Sequence, residues 1–198
     1  MRRSVFHLVR HGESVGNVDP NARRSDDPAL TDRGRQQAAA AARAVASLGV
    51  DAVLTSPLRR ARETAQVIAD AAGLAVEPVE GFAEVDMGVL AEPRTPEDRE
   101  EREAIFDGWL SGNRARAFPG GEDFPAVMRR VEAGLRVIGA AHPGGRIALV
   151  THRMPIAAAA ALAGAPGAGS CANCSITTLE HDGDRWCVVA FGDARHLA

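Results

Sequence analysis

Val5-Phe6-His7-Leu8-Val9-Arg10-His11-Gly12-Glu13 is the stretch on which the fold turns. Its first five residues are β-formers with no turn residue among them, and they predict a buried first strand. The run then stops abruptly at a cation, an imidazole, a glycine and a carboxylate. The same layout returns far along the chain, where Ile147–Val150 is followed by Thr151-His152-Arg153. Between them, Asp51–Thr55 reads as a second strand. It leads into Ser56-Pro57, an N-cap and first-turn proline for an Arg-rich helix reaching about Ala72. Thr31 caps a helix from Asp32 to Leu48 that stops at Gly49. Leu74–Val79 is a third strand, and Phe124, Val127, Met128, Val131, Leu135 and Ile138 recur at helical spacing. An alanine-rich helix follows His152 as far as Leu162. Asn173–Leu179 and Trp186–Phe191 close the chain as strands joined through Asp182-Gly183.

Strands alternating with helices predict an α/β fold: a three-layer sandwich with a mostly parallel central sheet flanked by helices. In such sheets ligands bind beyond the carboxyl ends of the strands. His11, His152 and the Ser56 region therefore converge on one edge. Residues 15–28 read as a long polar loop. Residues 81–121 are irregular, with a charged helical piece near Pro96–Leu110, and form the natural small helical and loop cap. One domain spanning residues 1–198 is expected.

Composition narrows the function. The chain has 198 residues, 45% hydrophobic and 25% charged, which is ordinary for a globular protein. A net charge of −3 excludes a global basic field for nucleic acid or an anionic membrane. All 23 basic residues are arginine, whose planar fork suits phosphate and carboxylate. Three cysteines do not make a disulfide framework. Cys171-x-x-Cys174 has redox or zinc spacing but no second pair, so structural thiols are expected. The N-terminal apolar stretch is too short for a signal peptide, and Ala157–Ala163 is far below a membrane span. A cytoplasmic protein is expected.

Taken singly, the polar clusters are ordinary. A lone histidine after a strand is usually structural; Arg59, Arg60 and Arg62 on a helix are usually a solvated face; Glu84 in a loop is usually surface charge. Together they match a pattern. Leu8-Val9-Arg10-His11-Gly12-Glu13-Ser14 with Asn17 resembles the signature of the histidine phosphatase superfamily, which includes the phosphoglycerate mutases. Leu30-Thr31-Asp32-Arg33-Gly34, Thr55-Ser56-Pro57-Leu58-Arg59-Arg60-Ala61-Arg62-Glu63-Thr64-Ala65, Phe82-Ala83-Glu84-Val85-Asp86-Met87-Gly88, Pro119-Gly120-Gly121-Glu122, Val150-Thr151-His152 and Asn173-Cys174-Ser175 follow in the expected order.

The resemblance implies a phosphoryl-transfer site. His11 would be the nucleophile, forming a phosphohistidine. Arg10, Arg60 and His152 would hold the transferring oxygens, and Asn17 would donate its amide to them. Glu84 would be the general acid and then the base. Glu13 has two readings, a buried partner that orients the arginines, which is favoured, and direct chemistry. Arginine and histidine already supply the positive charge, and no clustered acids or His-x-His pair read as a metal site, so no metal and no cofactor are expected. A small phosphorylated substrate is the expected partner, without nucleic acid or membrane; a homo-oligomer stays open.

The chain departs from the family pattern at Arg153, where glycine is common. Two readings remain for it: contact with an anionic part of the substrate, or solvent. Arg23, Arg24, Arg94, Arg114 and Arg116 lie in expected loops, as a second anionic subsite or as solvated surface. The short 84–122 segment excludes water poorly and favours a phosphomonoester hydrolase. The alternatives are a cofactor-dependent phosphoglycerate mutase-type phosphotransferase and a non-catalytic phospho-ligand binder.

Overall fold

Alternation along the strands sorts the core into two faces. In the computed structural model, which describes residues 3–19, 22 and 26–198, six strands form one sheet. They are β1 (Ser4–Arg10), β2 (Ala52–Thr55), β3 (Val76–Pro78), β4 (Arg146–Thr151), β5 (Ile176–His181) and β6 (Trp186–Asp193), in the order β3-β2-β4-β1-β5-β6. β3, β2, β4 and β1 are parallel, and only β5 runs against its neighbours. Leu8, Leu54, Ile147 and Leu149 face one side, and Val9, Val53, Ala148 and Val150 face the other, as the two-residue period of a strand requires.

Helices cover both faces. α1 (Val15–Val18) is a single turn. α2 (Asp32–Ser47) and α3 (Arg59–Ala72) present Ala38, Ala41, Val45, Ala61, Ala65 and Ile68 to the valine side. α4 (Pro96–Leu110), α5 (Phe124–Ala141) and α6 (Arg153–Leu162) close over the leucine side with Phe106, Trp109, Phe124, Leu135, Met154 and Ile156. The result is the expected three-layer α/β sandwich. No helix among the described residues is long and apolar enough to cross a membrane.

Three boundaries differ from the sequence reading, each for a local reason. Ser56 does not cap a helix at Pro57. α3 begins at Arg59, and the Arg59 N–H is instead capped by both carboxylate oxygens of Asp27 at 2.9 and 3.0 Å. The stretch expected to be loop after Ser14 contains α1, built by a capping box between Ser14 and Asn17. The strand expected from Asn173 begins only at Ile176, because Cys174 turns the chain at φ +59°. The Cys174 N–H donates to Arg10 O at 2.8 Å, so that turn is tied to the end of β1.

Candidate active site

Strand register places the two histidines. β1 and β4 pair Val9 with Val150 and Arg10 with Thr151, so His11 and His152 emerge side by side. Their ring centroids are 5.0 Å apart, close to the spacing of neighbouring strands. Gly12 then lets the chain pass α2: a Cβ at Gly12 would lie 2.5 Å from Gly34 O, and one at Gly34 would overlap Glu13 O. Neither position tolerates a side chain, so the loop behind His11 has no slack.

His11 is almost fully buried. Its Nδ1–H donates to Gly12 O at 2.7 Å, which leaves Nε2 as the unprotonated nitrogen, and Arg60 Nε–H donates to that nitrogen at 3.3 Å. Arg60 is itself buried, whereas the neighbouring Arg59 is exposed and pairs with Glu63. Arg10 Nη1–H donates to Cys171 O at 2.6 Å. Burial lowers the pKa of both guanidiniums, and Glu84 pulls each back up; both stay cationic.

Glu84 hangs from a loop held at several points. Thr151 Oγ1–H donates to Phe82 O at 2.7 Å, and Arg130 Nη1 donates to Gly81 O and Ala83 O at 2.6 and 2.9 Å. Arg130 also pairs with Glu122, whose Oε2 accepts from Asp86 N–H. Burial pushes the Glu122 carboxyl up, but these donors outweigh it and its pKa falls. Glu84 Oε1 accepts from Val85 N–H at 3.0 Å and Met154 N–H at 3.3 Å.

Arg10, His11, Arg60 and Glu84 line a cleft of about 530 Å³ together with Glu13, Asn17, Arg102, Glu103, Phe106, Arg153 and Asn173. The rim at Gly16, Asn17, Val18 and Asp19 is exposed. Asn17 Oδ1 accepts from Ser14 N–H and Ser14 Oγ, so the amide nitrogen is the end that can serve an anion. His152 lies one layer deeper, fully buried, with Nε2 2.7 Å from Ser56 Oγ.

The sequence reading is corrected in places. Glu13 does not orient Arg10 or Arg60: its carboxylate accepts from Thr31 Oγ1 at 2.8 Å and lies 3.8 Å from Arg33. Arg114 lies over the Phe124 ring, Arg116 pairs with Glu101 and Arg94 is exposed; none lines the cleft. Arg23 and Arg24 fall outside the described residues. Arg153 turns into the cleft wall instead of to bulk solvent, its guanidinium 4.3 Å over the Phe106 ring. Cys171 and Cys174 are buried free thiols, with burial pushing Cys174 up to about 12. Among the described residues no group of three His, Cys, Asp or Glu side chains could hold a metal ion.

The sequence singles out neither Arg102, Arg130 nor Asn173 as a site residue, and it marks Ser56 only by its region at the end of the second strand. Asn173 carried one signal, its place in a motif, but nothing marked its amide, which donates to His11 O at 2.9 Å. Arg102 carried none beyond its charge.

The family model described as the histidine phosphatase superfamily (branch 1) matches residues 6–194. The chain belongs to the histidine phosphatase superfamily. Within this superfamily of phosphoryl-transfer enzymes it is 31% identical to "Probable phosphoglycerate mutase GpmB" of Erwinia tasmaniensis, over 96% of this chain and 94% of that one. It is 32% identical to the protein of the same name from Yersinia enterocolitica, over 96% and 93%. Among solved histidine phosphatase structures, Bacillus stearothermophilus YhfR superposes with a TM-score of 0.85 at 27% identity, covering 98% of this chain and all of that one. A mycobacterial glucosyl-3-phosphoglycerate phosphatase, Rv2419c, superposes with a TM-score of 0.82 at 26% identity and the same coverage.

Proposed function

We propose that this histidine phosphatase hydrolyses a small phosphomonoester through a phosphohistidine on His11. The observation that carries the reading is the His11 ring itself. Its proton is held on Nδ1 by Gly12 O, and Nε2 points at the cleft beside the half-buried Arg10, the buried Arg60 and the Glu84 carboxylate. A phosphoryl oxygen is a stronger acceptor for Arg60 Nε–H than an imidazole nitrogen, so the arriving substrate takes that donor and uncovers the lone pair. Nε2 then attacks phosphorus in line, the ester P–O bond breaks, and the leaving oxygen takes a proton from Glu84. Arg10 and Arg60 hold the charge on the equatorial oxygens, with the Asn17 amide beside them. In the second half a water oxygen bonds to phosphorus, the N–P bond breaks, and Glu84 receives the water's proton.

Water as the acceptor is supported by the exposed rim at residues 16–19 and by the phosphatase Rv2419c among the structural relatives. The relatives named as probable phosphoglycerate mutases favour a second reading, in which the phosphohistidine is kept and handed to product.

Incubation with 4-nitrophenyl phosphate and an alkaline quench should leave acid-labile, base-stable phosphate on the protein. His11→Ala should carry none, and EDTA should leave the yield unchanged. Inorganic phosphate should form one for one with nitrophenol. Phosphate trapped elsewhere, with full activity in His11→Ala, would sink the assignment. Transfer to an added alcohol in preference to water would move the chain to the mutase reading.

A further inference from the structure

One peptide unit at the reaction centre, the one joining His11 to Gly12, is gripped at both edges by side chains remote in sequence. On the α3 side its N–H donates to Thr64 Oγ1 at 3.0 Å. On the other side its carbonyl, His11 O, accepts from Asn173 Nδ2 at 2.9 Å, from the turn before β5. The two partners lie 52 and 162 residues along the chain from the residues they hold.

The direction of each Thr64 bond is forced. A backbone N–H can only donate, and a backbone carbonyl can only accept. Thr64 Oγ1 therefore accepts from Gly12 N–H and gives its own proton to Arg60 O, one turn back, at 2.8 Å. The side chain is fully buried and takes no part in lining the cleft, so it is out of reach of a substrate. One hydroxyl thus ties the residue after His11 to the helix that carries Arg60. Those two side chains meet at 3.3 Å, His11 Nε2 to Arg60 Nε.

Glycine has more conformational freedom than any other residue, yet the Gly12 carbonyl holds the His11 Nδ1 proton at 2.7 Å. Packing against Gly34 limits where Gly12 can lie. The two hydrogen bonds fix how its peptide is turned. A rotation there would move the acceptor of the Nδ1 proton and swing Nε2 off its line to phosphorus, and a misplacement of about 1 Å in such a line costs about 10²-fold in rate.

We infer that Thr64 and Asn173 are positioning residues, two jaws that set the angle of the His11–Gly12 peptide and with it the aim of Nε2. The inference rests on the reading of His11 as nucleophile. It adds two residues that act on the reaction through His11.

Thr64→Val keeps the shape of the side chain and removes the hydroxyl; Thr64→Ser keeps the hydroxyl and removes a methyl. Burst-phase phosphorylation by 4-nitrophenyl phosphate is compared with inhibition by orthovanadate, which takes an axial bond from the nucleophile, and by sulfate, which needs only the cationic grip. Thr64→Val should slow the burst and weaken vanadate by roughly tenfold or more, and leave sulfate within about threefold. Thr64→Ser should return both to within about threefold of wild type, whatever it loses in melting temperature. Asn173→Ala, at a half-buried position, should show the same split at about fivefold. Vanadate and sulfate weakened alike by Thr64→Val, or Thr64→Ser no better than Thr64→Val, makes Thr64 structural and overturns the clamp. Where Thr64→Val does not fold, Asn173→Ala decides, and an unchanged ratio of vanadate to sulfate there overturns it. Failure to trap phosphate on wild-type His11 overturns the underlying reading instead, and needs none of these variants.

Discussion

The floor of the cleft and its outer wall are built on different principles. On the floor, side chains are fixed by backbone: Gly12 O sets the His11 tautomer, Cys171 O holds Arg10, and Val85 and Met154 N–H groups hold Glu84. On the wall, side chains are fixed by one another, as Arg102, Glu103, Arg153 and Phe106 are. Backbone partners move only if the chain that carries them moves. Side-chain partners can exchange for a ligand. The floor is suited to a reaction that does not vary, and the wall to a choice of substrate.

The sharpest way to break this comparison is at Glu84. Glu84→Gln keeps size and hydrogen bonding but cannot transfer a proton. It should cut kcat for an alkyl phosphate by roughly 10²–10⁴-fold. Burst-phase formation of the phosphoryl-enzyme from 4-nitrophenyl phosphate should fall much less, since that leaving group needs little protonation. A burst slowed equally for both substrates would make Glu84 a positioning group.

A smaller effect is expected one layer down. Ser56→Ala removes the buried hydrogen bond between Ser56 Oγ and His152 Nε2, at a cost of about 1–3 kcal/mol in stability. As a positioning residue, Ser56 should lower kcat about tenfold with KM little changed, and Ser56→Thr should restore most of it. Lost stability with unchanged kcat would reduce Ser56 to a structural role.

The smallest effect tests the wall's boundary. Arg116 pairs with Glu101 in the open, at 51% and 44% side-chain exposure, and such pairs contribute at most about 1 kcal/mol. Arg116→Ala should leave kcat and KM within about threefold on anionic substrates. A larger rise in KM would bring Arg116 within reach of the substrate.

Legibility in the sequence follows the same division. The hydrophobic run of β1 and the strand-end positions of His11 and His152 are local features, so the α/β order and the floor could be read in advance. Arg60 could be told from Arg59 only through the family motif, because helical spacing alone makes both a solvated face. Ser56 was misread because serine before proline is a good helix cap, and the same hydroxyl serves a histidine 96 residues away. Arg102, Arg114 and Arg116 look alike in sequence. What separates them is the way α4 lies on the cleft, which depends on where Ile105, Phe106 and Trp109 bury, and no short-range pattern encodes that.

The register of β1 on β4 has a consequence for how this enzyme can be altered. The distance between His11 and His152 belongs to a ladder of backbone hydrogen bonds, so no substitution at either site tunes it. Deleting one residue from either strand would send its histidine to the opposite face of the sheet. A change of one residue in length there removes a histidine from the site. Variation at the cleft-facing positions of residues 88–118, away from the buried Ile105, Trp109 and Phe118, by contrast changes what the reaction centre meets. A mutant library confined to those cleft-facing positions explores new substrates while the His11–His152 ladder stays unaltered.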